Sequence, residues 1–410
     1  MSDSSKSHRP DQANAKKPSE SSSAQRLSID RPGDALALVQ HTFGHLPKDS
    51  LVVIGLSPGA TGGHLRVDLA PVLEQPERMG AQCAAWIAGP EAAPAPEAAM
   101  AVIFDSERPD PDSPDQYDVV MARLEQGLLE QAGAALIKIW RVGQGLIRDY
   151  ECSDTGETTS FPGEDADSAL KATLQRIPEL ARNRASSPAE SLAQFLATPP
   201  LATEAQQSVV REHSAPPPSR EEAVITLWDA ALRRCMREAH DGSRTEAAWI
   251  HQAPEQASAL LRTLEKPENV ELLMAVTVSS LDTVGDTCDI LGAESASGMR
   301  MELAWGLSSH PPQWERVESL SALLHHLLPY AVDLQRAEIL GIRSWVEWLR
   351  GSASTATVFA DAVRQQHPEL WASRTAPPVA HRVLHCIRVL GVCPLARVKE
   401  SSYSWWLGRR

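Results

Sequence analysis

Residues 51–57, Leu51-Val52-Val53-Ile54-Gly55-Leu56-Ser57, pass through Pro58-Gly59 and a glycine-rich stretch into His64-Leu65-Arg66-Val67-Asp68-Leu69, and this order decides the fold. Leu51 to Ile54 is short, apolar and β-branched, and Ser57-Pro58-Gly59 supplies turn chemistry, so the stretch predicts a buried strand. From His64 to Leu69 polar and apolar residues alternate. His64, Arg66 and Asp68 therefore share one face, and Leu65, Val67 and Leu69 the other. Two strands this close predict a hairpin with a Gly-rich loop.

Upstream, the spacing of Leu36, Val39, Phe43 and Leu46 marks one face of a helix, with Asp34 as its expected N-cap and Gly44 and Pro47 as its stop. Downstream, Met79, Cys83 and Trp86 suggest a helix, Ala101 to Phe104 a strand, and Tyr117, Val120, Met121, Leu124 and Leu128 a second amphipathic helix. The strands Leu136 to Val142 and Leu146 to Glu151 flank a Gly143-Gln144-Gly145 turn. Helices thus alternate with strands, two pairs of which read as hairpins. This predicts an α/β domain with a mixed sheet over residues 27–184.

The remainder reads differently. Ser219-Arg220-Glu221-Glu222 is a capping box opening a helix through Val224, Leu227, Trp228, Ala231 and Leu232. Helical periodicity continues to Leu349, where Gly351 is a stop, so residues 219–396 are expected to be all-α. Ala356, Ala360, Val363 and Pro368 have the small-residue spacing of a tightly packed helical hairpin. The first 26 residues have almost no apolar side chain and are expected to be a disordered tail. Residues 185–218, with Pro199-Pro200 and Pro216-Pro217-Pro218, read as a proline-containing connection, and 397–410 as a C-terminal tail.

Composition narrows the function classes. The 410 residues carry 39 Lys+Arg against 53 Asp+Glu, a net charge of -14, which repels phosphate backbones and argues against a nucleic-acid partner. No apolar run is long enough for a membrane span. Six scattered cysteines fit no disulfide framework and suit a reducing cytoplasm.

The local motifs are incomplete as chemistry. Gly55-Leu56-Ser57-Pro58-Gly59 spells a nucleophile elbow, but Pro58 lacks the N–H that the oxyanion needs, and a strand follows. Gly59 to Gly63 lacks the Lys-Ser/Thr of a phosphate loop, and Gly143-Gln144-Gly145 opens no helix. His381 and His385, with Cys386 adjacent, fall short of the three or four ligands of a zinc site, so no metal is expected. His325-His326 reads as part of an amphipathic helix, and Asp282, Asp286 and Asp289 as a solvated loop with no calcium-loop spacing. No cofactor is implied. The candidate polar site is the sheet face of Arg66, Asp68, Arg148 and Tyr150, with His64 and Asp105 beside it; arginine and aspartate there form either an ion pair or the floor of a pocket.

Asp34 to Leu69 resembles the actinobacterial family known as domain of unknown function 4192, through Gly44, Pro47, Asp49-Ser50-Leu51-Val52-Val53 and Leu65-Arg66-Val67-Asp68-Leu69. The resemblance continues at Gly145, Tyr150 and Cys152, matching a Gly-Arg-Trp-x-Ser-Tyr-x-Cys string, and reaches Trp345 to Pro368. Leu146, Ile147 and Asp149 depart from the string, Arg148 holds its variable place, and only Pro162-Gly163 matches the Pro-rich turn that follows it in the family. The resemblance implies a fold and no activity. Two functions stay open: a noncatalytic binding or adaptor protein with a helical surface for a protein partner, and an enzyme acting through a polar site around Arg66 and Asp68.

Overall fold

The computed structural model describes residues 31–57, 60–89, 95–106, 117–150, 163–182, 187–197, 202–212, 220–240, 247–279, 304–307, 311–373 and 377–407, with single positions 29, 199, 302 and 409. The N-terminal tail, Pro58-Gly59, Cys152, Pro216 to Ser219, and Asp282, Asp286 and Asp289 lie outside the described residues.

Helix α1 (Pro32–Phe43) leads into β1 (Ser50–Ser57) and β2 (Ala60–Asp68), which pair antiparallel from Ser50↔Asp68 to Ser57↔Ala60. Asp34 is not the N-cap of α1. Arg31 holds that position because Pro32, whose fixed φ suits a first helical turn, starts the helix earlier. Asp34 is instead buried, accepting from Thr173 Oγ1 at 3.1 Å and from Arg176. Leu69, expected as strand, opens α2 (Leu69–Glu74) and is buried all the same.

Helix α3 (Pro76–Ala88), β3 (Ala98–Phe104), α4 (Asp118–Ala132), β4 (Ala135–Gly143), β5 (Leu146–Asp149), β6 (Glu164–Asp165) and α5 (Ala166–Arg176) complete the first half. The sheet order is β2-β1-β3-β4-β5-β6. Among the described strands only β3 and β4 pair in parallel, which the α4 crossover permits, while β1–β2 and β4–β5 pair antiparallel. The fold is therefore α/β with a mixed sheet. One face buries Leu51, Val53, Leu65, Ala101 and Ile103 under α3 and α4. The other buries Val52, Ile54, Val102 and Trp140 under α1 and α5.

The rest of the described chain is helical: α6 (Pro188–Leu196), α7 (Glu204–Glu212), α8 (Glu221–His240), α9 (Pro254–Thr263), α10 (Pro267–Val278), α11 (Trp314–Leu327), α12 (Asp333–Leu349), α13 (Ala353–Gln366), α14 (Pro368–Trp371), α15 (Val379–Leu390) and α16 (Tyr403–Leu407). Their shared core includes Trp228, Trp345, Trp348 and Phe359, all fully buried. The stretch read as a connection carries α6 and α7, and Phe195 and Val210 enter this core. Ala356, Ala360 and Val363 are buried on α13, which forms a hairpin with α12. Gly391 and Arg397 are among the residues that bring the helical half against the sheet half. Gly391, at φ 70°, lets α15 end so close to Trp86 of α3 that a Cβ there would collide with the indole, and Arg397 lies over that ring at 5.8 Å.

Candidate functional site

Arg66 is the best-engaged side chain of the expected site. Alternation on β2 puts it opposite Leu65, on the α1 face, where it sits across from Val52. Its Nε donates to Ser50 Oγ at 3.0 Å, and Nη2 lies 3.5 Å from Asp68 Oδ1. Nη1 donates to Ser354 Oγ at the start of α13, so this guanidinium bridges the sheet and the helical half. Ser50 is itself fixed, donating to Lys48 O at 2.6 Å. Arg66 is 12 % exposed and Asp68 47 %. Burial lowers the Arg66 pKa, and Asp68 opposes that shift. Desolvation pushes Asp68 up; Arg66 pulls it down, while Asp361 of α13 and Asp49 push it further up. The pair is a half-open salt bridge beside a contact between β2 and α13.

Arg148 and Tyr150 do not join it. Arg148 is exposed and pairs in register with Arg141, on the face under α3 and α4. Tyr150, just beyond β5, packs on that same face and donates from its hydroxyl to Asp118 Oδ1 at 2.6 Å, at the start of α4. Four strand spacings of about 4.8 Å separate β2 from β5, which puts Arg66 and Arg148 roughly 19 Å apart across the sheet and on opposite faces. His64, at the middle of β2 across from Ile54, is exposed.

Asp105, expected beside Arg66, belongs instead to a second polar group, whose Arg141 the sequence pattern did not single out. At the carboxyl ends of the parallel strands, Asp105 Oδ2 lies 2.6 Å from Arg141 Nη2, and the Arg141 guanidinium stacks 5.1 Å from the Tyr117 ring centre. Beside it, Asp49 accepts from Ser106 N at 3.1 Å and from Ser106 Oγ at 2.5 Å. The available signal was an arginine inside the apolar strand Leu136 to Val142, next to a strand ending in aspartate.

A third group was missed outright. His251, in a 3-10 turn at Ala248–Gln252, approaches the Tyr330 hydroxyl through Nδ1 and His326 Nδ1 through Nε2, the latter at 2.7 Å. His325 and His326 lie on the helix α11 expected for them, partly buried and in contact with other elements.

The remaining motifs resolve simply. Ser57 pairs with Ala60 of β2, so a strand follows it where an elbow would need a helix. His381 and His385 lie on the exposed side of α15, with His381 5.2 Å from the Trp371 ring. Among the described residues no group of three or more His, Cys, Asp or Glu side chains is placed to hold a metal. No described helix is long and apolar enough to cross a membrane.

With this geometry in hand, comparison with known proteins adds one finding. The family described as "Domain of unknown function (DUF4192)" matches residues 32–374. The chain belongs to this family. The match spans the whole sheet, α12 and α13, so Arg66, Asp68, Tyr150 and Ser354 all lie within the DUF4192 region. No curated protein and no solved structure matches the chain.

Proposed function

We propose that this DUF4192 protein is a noncatalytic binding or adaptor protein of the cytoplasm whose helical half carries the surface for a protein partner. The observation that carries the proposal is the engagement of the polar side chains on the sheet. Arg66 is held by Ser50, Ser354 and Asp68, Arg141 by Asp105, and Tyr150 by Asp118. Arg66 serves as a joint between halves rather than as a group awaiting substrate. On the helical half, two cavities of about 160 and 170 Å³ flank α7. Each is the size of a single side chain, below the several hundred Å³ of a small-molecule site. One is lined by Ala205, Val209 and Pro254, the other by Val210, Leu261 and Val332, and Val209 and Val332 are exposed. Exposed aliphatic groups beside shallow cavities suit the anchor residues of a partner chain. Cys83, Cys235, Cys386 and Cys393 are free thiols, in keeping with a reducing compartment.

The competing function, an enzyme acting through Arg66 and Asp68, makes the opposite forecast. A photo-crosslinking residue placed at Val332 in the native cell should yield a discrete protein adduct that Val209→Asp abolishes. An adduct insensitive to that change, or none, would count against the partner surface.

A further inference from the structure

The Tyr330–His251–His326 chain sits where the segment carrying α6 and α7 meets the helical core. His325, the residue before His326, donates from Nδ1 to Phe195 O at 2.9 Å and so holds the end of α6. The backbone oxygen of His251 accepts from Gln206 Nε2 at 3.3 Å and so holds α7. Helix α7 also packs against α9 and the Leu328–Tyr330 turn, with Val210 buried and Val209 beside it 43 % exposed. The three imidazoles are crowded, with centroids 5.0 Å apart for His251 and His326 and 5.5 Å for His325 and His326.

Proton counting gives this cluster a direction. The Phe195 carbonyl can only accept, so His325 Nδ1 carries a proton. One proton fits between His251 Nε2 and His326 Nδ1, because two would set N–H against N–H across 2.7 Å. The pair therefore tolerates no charge or one. A second charge on the pair sets N–H against N–H and breaks the bond.

We propose that His251, His325, His326 and Tyr330 form an acid-sensitive lock that fastens α6 and α7 to the helical core and releases them when the cluster takes up a second proton. The groups acting on the lock are mainly its own members. Burial, then His251 and His325, hold His326 down at about 4, and burial and His325 lower His251. Burial pushes Tyr330 up to about 12, so it stays neutral. Of the neighbouring elements, α7 presents neutral Gln206, and α9 presents Arg262, which lines a cavity with Tyr330 and is paired with Glu265 at 3.1 Å. From α12 come neutral Gln335, which lines the same cavity, and Arg343, which stacks on Phe195 and is paired with Glu347 at 2.6 Å. The lock rests on the proposed partner surface only for its use, since the cavities flanking α7 would change on release.

Hydrogen exchange of the full chain, without any partner, tests the lock independently of that surface. Between about pH 7.5 and about pH 5, after correction for intrinsic rates, protection over 188–212 should fall about tenfold more than over 337–363. His326→Asn keeps a polar atom near the Nδ1 position without a titrating ring and should shrink that difference to about threefold or less. Equal loss in both regions, or an unchanged response in the variant, overturns the proposal. Should the variant fail to fold, the regional comparison in the unaltered chain still decides.

Discussion

Arg66→Ala is the perturbation that reads the joint between sheet and helical half. The guanidinium is 12 % exposed and makes two charge-assisted hydrogen bonds, to Ser50 and to Ser354. Such bonds contribute about 1.5–3 kcal/mol each, but both serine hydroxyls can turn to other partners once Arg66 is gone, so the expected loss is about 2–4 kcal/mol. Asp68 is half exposed, so stranding it adds little, and Asp68→Ala should cost about 0–1 kcal/mol. Ser354→Ala should cost about 1–2 kcal/mol, and nearly all of that should vanish when Arg66 is already alanine, a coupling of about 1 kcal/mol or more. Denaturant melts of the two single variants and the double give the coupling directly. Additive effects, each below about 0.5 kcal/mol, would mean that Arg66 lies on a solvated face and joins nothing.

Three other outcomes follow from the same structure. Glu338 is buried on α12 and accepts from Val379 N at 3.2 Å; burial raises its pKa from 4.5 to about 7, against that hydrogen bond and Arg382. The folded state thus holds a proton that the unfolded chain has released between those values, and stability falls as pH rises through that window. Glu338→Gln should therefore stabilise the protein increasingly up to about pH 7, by at most about 3 kcal/mol, as read by melts across pH; a pH-independent difference would refute this. Gly341→Ala should destabilise by about 1–3 kcal/mol, because a Cβ there would lie 2.6 Å from Val379 Cγ1 and 2.9 Å from the backbone nitrogen of Ala380. A fluorophosphonate should leave Ser57 unlabelled, since the residue after it is Pro58; labelling detected by mass spectrometry would revive the elbow.

Local pattern made much of the fold legible. The β-branched run Leu51 to Ile54 and the alternation around Arg66 placed both strands and their inward faces, because side-chain period and burial are properties of a few adjacent residues. Sheet order is not such a property. Arg66 and Tyr150 looked like neighbours on one polar face, yet the parallel β3–β4 pairing puts their strands on opposite sides of the sheet, and register puts them on opposite faces. Proline misdirected the eye between residues 185 and 218: Pro188 opens α6 as a first-turn residue, and Phe195 and Val210 anchor the stretch. His251 carries no local signal. Its partners are His326 and Tyr330, 75 and 79 residues away, and only tertiary packing brings them together.

The most direct test of a partner-binding helical half is affinity purification of the full chain from its native cell, with mass spectrometry of both the proteins and the small molecules retained. The unaltered chain, Val209→Asp/Val332→Asp and Arg66→Ala would be compared side by side. A protein partner near stoichiometric amount, lost with the paired valine substitutions, is the expected result. A small molecule retained instead, indifferent to the valines and lost with Arg66→Ala, would contradict it and place the function at the sheet.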